Sequence, residues 1–128
     1  MNPRDLLPRD KMDLTRAKVL VQLGYPAVAP ILPELLVWLQ DYNWPVAHVL
    51  APFLASIGKP LLPHIRRVLA TDDDIWKYWV LSRLVEDNLE LARDLAPELS
   101  RMAAAPTPGE AEEELDQKAR EILTGLRG

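Results

Sequence analysis

Residues 41–58 read DYNWPVAHVLAPFLASIG, and this stretch decides the fold because a helix start, an apolar stripe and a helix stop occur in it together. Val46, Val49, Leu50, Phe53, Leu54 and Ile57 recur at the three- and four-residue spacing that gathers apolar side chains on one face of an α-helix. Pro45 suits the first helical position, where its fixed φ and missing N–H cost nothing. Gly58 suits the left-handed residue that ends a helix.

The same pattern extends in both directions. Upstream, residues 1–11 hold two prolines and several charges without a period, and read as an extended arm or a single turn laid over the first helix. Asp10 or Asp13 can cap a helix running to about Leu23, with Leu14, Ala17, Leu20, Val21 and Leu23 inward and Gly24 as its stop. Pro30 and Pro33 call for a short turn before a helix from about Ile31 to Gln40 that presents Leu32, Leu35, Leu36 and Leu39; a kinked helix is the alternative.

Downstream, Pro60 and Pro63 sit in the first turn of a helix whose stripe is Leu61, Leu62, Ile65, Val68 and Leu69. The next helix, about Asp73 to Glu86, is apolar on nearly every side and is expected to be covered on more than one face. Leu89 to Ala104 turns Ala92, Leu95, Ala96, Leu99, Met102 and Ala103 inward, with Pro97 as a kink or break. Thr107, Pro108 and Glu110 form a capping box that opens the last helix. Its narrow stripe of Ala111, Leu115, Ala119, Ile122, Leu123 and Leu126 opposes a charged side, as expected for an end cap with one wet face.

No period-two run and no Asn-Gly hairpin signal occurs, so the chain reads as all-α. At 128 residues it is one domain, 1–128, with one core. Internal marks suggest a short α-α solenoid. Leu23-Gly24-Tyr25-Pro26 recurs as Ile57-Gly58-Lys59-Pro60, and Asp10, Asp41 and Asp72 are evenly spaced, each before the first helix of a pair. Three helix pairs, at about 13–40, 45–70 and 73–104, followed by a capping helix at 108–126, account for these marks. Each pair has a face that only its neighbour can bury.

The run from Leu23 to Leu39, followed by Asp41 and Trp44-Pro45-Val46, resembles HEAT-type α-α repeats, in which an aspartate in the turn precedes a valine-containing helix. The whole chain is similar to a small uncharacterised bacterial family of HEAT-like proteins. That likeness rests on Leu6-Leu7-Pro8 with Asp10-Lys11, on Asn43-Trp44-Pro45-Val46 and on Trp76-Lys77-Tyr78-Trp79. The resemblance implies a fold and no activity. The chain departs from the HEAT pattern at Ala47, where an arginine is usual, so an Asp-Arg ladder between repeats is not expected.

Composition narrows the function classes. A net charge of −4 lacks the electrostatic footprint of a general DNA or RNA binder. The absence of cysteine removes thiolate catalysis and cysteine-bound zinc. The charged N-terminus is unlike a signal peptide, and the longest apolar run, Tyr25 to Leu39, is broken by prolines and Glu34; a cytoplasmic protein with no membrane span is expected. His48 and His64 have no carboxylate at ligand spacing, the serines lack a Gly-x-Ser-x-Gly context and the glycines form no phosphate loop. No enzyme, metal or cofactor is expected.

Asp41, Asn43 and Trp44 stand at one helix start, and Asp72, Asp73, Asp74, Trp76 and Lys77 at the equivalent start in the next unit. Two readings compete. In one, Asp41, Asn43, Trp44, Asp73, Trp76 and Lys77 form a polar-aromatic edge that binds another protein, as in an adaptor, an inhibitor or an immunity-type protein. In the other, the aspartates cap free N–H groups and the tryptophans pack between layers. The groove of the second helices, around Glu34, His64 and Arg67, is the alternative protein-binding surface. A nucleic-acid-processing protein of the helical-repeat DNA glycosylase type is the competing class. It is motivated by Arg66, Arg67, Lys77, Arg83 and Arg101, which otherwise pair with nearby acids.

Overall fold

A computed structural model describes residues 2–127; Met1 and Gly128, the two ends of the expected domain, lie outside the described residues. Those residues are helical with no strand. After a 3-10 turn at Pro3–Leu6 come α1 (Leu14–Leu23), α2 (Leu32–Val37), α3 (Pro45–Ile57), α4 (Leu62–Leu69), α5 (Asp74–Val80), α6 (Leu89–Asp94), α7 (Ala96–Ala104), α8 (Pro108–Glu112) and α9 (Leu115–Arg127). Short 3-10 turns precede α2 and α4, a further one, Trp38–Gln40, follows α2, and a π turn, Leu81–Val85, continues α5.

The helix limits follow from local chemistry. Asp13 accepts the N–H of Arg16 at the start of α1, and Asp73 accepts that of Trp76 at the start of α5. Gly24 and Gly58 end α1 and α3 with φ of 76° and 71°, a region that side-chain-bearing residues avoid. Pro52 lies inside α3 without ending it, because both it and His48, whose carbonyl loses its donor, are exposed to solvent.

An i→i+2 bonded turn recurs before three of the helices. Asp10 Oδ1 accepts the Met12 N–H at 2.8 Å before α1, and Asp41 Oδ1 accepts the Asn43 N–H at 2.8 Å before α3. Before α5 the acceptor is Thr71 Oγ1, on the Asp73 N–H at 3.3 Å, rather than Asp72.

Two expected helices are broken. Pro97 cannot supply the N–H an unbroken Leu89–Ala104 helix requires, and the chain bends at Leu95, which is fully buried. The last helix is interrupted at Glu113 and Glu114, where Glu114 takes a φ of 60°. Glu110 and Leu115 are both completely buried. Five residues apart on a straight helix they would point about 140° from each other, and the break lets both face inward.

The core is one cluster to which every helix from α1 to α7, together with α9, contributes apolar side chains. Helix α1 packs on α3, α3 on the π turn and α2 on α4, while α9 packs on α7, α6 and α5. In α3 the buried face includes Ala47 and Ala51, with Val49, Phe53 and Ile57 only partly covered, so the core face is wider than the stripe suggests. Because α3 has α1 on one side and the π turn on the other, small residues allow both to approach. Leu23, expected inward, is 40% exposed at the last position of α1, and Ala111 is exposed beside the break. No single helix among the described residues is long and apolar enough to cross a membrane.

Candidate binding cleft

Asp41 shapes a turn rather than capping a helix. Its carboxylate is spent on Asn43, its carbonyl accepts the Trp44 N–H at 3.1 Å, and α3 then begins at Pro45 with no side-chain cap. Asn43 is left exposed. Trp44 packs edge-on against Trp38, with ring centroids 5.8 Å apart and half-buried on the core. Trp76 is also a packing residue: its indole Nε1 donates to the Leu36 carbonyl at 2.9 Å and ties α5 to α2.

Lys77 does not lie on an accessible edge. It is 4% exposed, with Nζ 3.0 Å from Asp74 Oδ1 and 3.3 Å from Glu110 Oε2. Glu110, wholly buried, also receives two bonds from Arg101, at 2.5 and 2.7 Å, and the Thr107 N–H at 2.9 Å. The Arg101 guanidinium does most to hold the Glu110 carboxyl down at about 2, against a burial effect that raises it; the Thr107 N–H and Lys77 add to the lowering. Gly109 belongs to the same knot, since a Cβ there would overlap the Asp74 carboxylate. The sequence offers Glu110 only as a capping residue; its second role depends on Arg101 and Lys77 meeting it in space.

With those side chains internal, the residues that remain accessible surround a cleft of about 490 Å³. The Asp41 turn contributes Gln40, Asp41 and Asn43, α5 contributes Ile75, Tyr78 and Trp79, and the α8–α9 break contributes Glu112, Glu113 and Glu114. A second hollow of about 260 Å³ continues from it over Asp72, Asp73 and Asp74 and shares Ile75, Glu112 and Glu113. No lysine or arginine among the described residues lines either one. Among the described residues only Asp74 of these acids has a cation within 4.0 Å. Ile75, at 49% exposed, stands where the two hollows meet.

Thus Asp41, Asn43 and Asp73 from the expected edge do line one continuous surface, while Trp44, Trp76 and Lys77 are placed in packing and ion pairing. Trp79 extends the aromatic wall on its other side: Tyr42 stacks on it at 5.1 Å, His48 lies 4.4 Å from Tyr42, and the Arg83 guanidinium sits 4.2 Å over the Tyr42 ring. The helical period of α5 puts Ile75, Tyr78 and Trp79 on neighbouring positions. That signal was present in the sequence but hidden by the apolar character of the whole helix.

Of the remaining arginines, Arg66 and Arg101 line one hollow of about 600 Å³ beside Glu98, while Arg67 lines the groove between α2 and α4 and Arg83 lies over Tyr42. Arg66 is held by Glu98 at 3.0 Å and by the Asp94 carbonyl at 2.9 Å, and Arg101 by Glu110. Among the described residues no group of three or more His, Asp or Glu side chains is placed to hold a metal ion. Tyr78 and Trp79 are half-buried, and each ring already has a cation beside it, Lys118 at 5.7 Å and Arg83 at 5.6 Å; the unpaired carboxylates around them can attract a further cationic side chain, each acting over a screening length of about 8–10 Å.

The family model described as a domain of unknown function (DUF5071) matches residues 6–123, and the chain belongs to that family. A comparison with curated proteins gave no match.

Proposed function

From this membership of the DUF5071 family, which carries no assigned activity, we propose that the chain is a non-enzymatic protein-binding module. In this reading it is a short stack of HEAT-like helix pairs closed by α9, and it takes a cationic segment of a partner protein into the acidic cleft. The observation that carries the reading is the composition of that cleft: Asp41, Glu112, Glu113 and Glu114 around Trp79, Tyr78 and Ile75, with no basic residue among the described residues of its walls. Support for the stacked repeat comes from the turns bonded through Asp10, Asp41 and Thr71 and from the packing of α1 on α3, α3 on the π turn and α2 on α4. An arginine or lysine entering the cleft would meet carboxylates on three sides and an aromatic face, while its aliphatic stem covered Ile75.

The competing nucleic-acid reading gains nothing from an acidic cleft, since a phosphate backbone would meet like charge there. Titration of tryptophan fluorescence with an acetylated Arg-Ala-Arg-Leu amide peptide, its Glu-Ala-Glu-Leu counterpart and a DNA duplex separates the two. The proposal expects a saturable, salt-sensitive response to the arginine peptide alone. Binding of the duplex without the peptide would replace it with the nucleic-acid reading.

A further inference from the structure

A second surface is independent of the acidic cleft. Helices α2 and α4 pack on each other, and the groove between them, about 240 Å³, has apolar walls of Pro33, Leu36, Val37, Val68 and the Trp76 ring. Val37 is 41% exposed. His64 and Arg67 line the same groove from α4. A further hollow of about 240 Å³, lined by Leu7, Pro8, Glu34 and Trp38, shares Val37 with it, so the two form one apolar path across α2.

The charges along this path are unequal. Glu34 is spent on Arg4 at 2.7 Å, just as Arg66 is spent on Glu98 at 3.0 Å one groove further along. Arg67 is exposed and has no ion-pair partner among the described residues. Beside it, burial and the Arg67 charge hold the His64 imidazole below its ordinary pKa, so near neutrality it is a hydrogen-bonding group without charge. Its Nδ1 is buried and has no partner among the described residues, and neither has Glu34 Oε2. The groove therefore presents one unspent cation directly beside an apolar hollow.

We infer that the groove between α2 and α4 receives the C-terminal aliphatic residue of a polypeptide, with its carboxylate on Arg67 and its side chain against Leu36, Val37, Val68 and Trp76. A chain terminus carries a carboxylate and an apolar side chain on the same carbon, the short spacing that Arg67 and the adjoining hollow require. The second hollow selects a polypeptide over a lone small acid. Two residues of extended chain span roughly 7 Å, which carries a second apolar side chain past Val37 towards Leu7 and Pro8. The inference shares with the proposed function the premise that the chain binds protein, but neither its site nor its ligand charge, so either can fail alone.

The test is amide-resolved NMR titration of the full chain with an acetylated Ala-Leu-Ala-Leu peptide bearing a free carboxylate, with the same peptide as its C-terminal amide, and with acetyl-leucine alone. The free-carboxylate peptide is expected to shift the signals of Val37, His64 and Arg67 and to bind at least ten times more tightly than the other two. Arg67→Ala should remove that preference with an unchanged melting temperature, while Arg66→Ala, one position away and already paired, should keep it. Equal binding of the amide, or no shift in the groove at millimolar peptide, would overturn the inference. Acetyl-leucine binding as tightly as the peptide would also overturn it, by making the groove a small-carboxylate site.

Discussion

Lys77 Nζ lies 3.3 Å from Glu110 Oε2 inside the protein, joining α5 to the first turn of α8 across thirty-three residues of sequence. Neither side chain is more than 5% exposed, so the pair is removed from solvent, and Asp74 and Arg101 complete the pairing that makes its burial tolerable.

Lys77→Ala is expected to destabilise the chain by about 3 kcal/mol, the scale found when one member of a buried ion pair is deleted. Urea denaturation checks this. The loss should exceed that of Lys18→Ala, an exposed lysine on α1, by more than about 1 kcal/mol.

Glu110 also sets a pH dependence. Its folded pKa of about 2 lies below its ordinary value of 4.5, so the stability it contributes is fully present above pH 4.5 and is lost as pH falls from 4.5 through about 2. Denaturant melts of the wild type and Glu110→Gln across that window should differ. The wild type loses stability on acidification, whereas the variant starts lower at neutral pH and falls less steeply.

Trp76→Phe keeps a six-membered aromatic ring on the half-buried site and removes the pyrrole part of the indole together with the N–H that reaches Leu36. A loss of at least about 1 kcal/mol is expected in the same melts, the usual value for the hydrogen bond alone, with the packing of the deleted ring atoms added to it. Binding of the arginine peptide should be unchanged, because the Trp76 ring faces the other groove.

Leu54→Ala is expected to cost about 2–5 kcal/mol, since Leu54 is fully buried in mid-α3 between helices that cannot collapse onto a cavity. Phe53→Ala, at a partly covered neighbour, should cost less despite removing more atoms.

The α3 boundaries were legible because Pro45, the apolar spacing and Gly58 are all local signals. The capping box was legible for the same reason: Thr107 and Glu110 satisfy each other within one turn. The breaks at Leu95 and Glu113–Glu114 had weaker or no local signals. Pro97 marks the first, but the second arises because Arg101 and Lys77 pull Glu110 inward while Leu115 must also reach the core. The candidate edge divided along the same line. Asp73 caps α5 as its position suggests, whereas Lys77, which sequence places among aromatics at a helix start, pairs with Asp74 in its own first turn and with Glu110 thirty-three residues away. The cleft itself needed the Asp41 turn, α5 and the α8–α9 break to be brought together, and no spacing along the chain encodes that.

The claim that the acidic cleft recognises a cationic segment is tested most directly by calorimetric titration of the arginine peptide into the wild type and an Asp41→Asn, Glu113→Gln, Glu114→Gln triple variant. These side chains form no ion pair among the described residues, and Asn at 41 keeps an oxygen for the turn bond to Asn43, so the melting temperature should stay within a few degrees of the wild type. The account predicts at least ten-fold weaker binding to the variant and a reduced dependence on salt. Equal affinity for both proteins, with unchanged salt dependence, would contradict it.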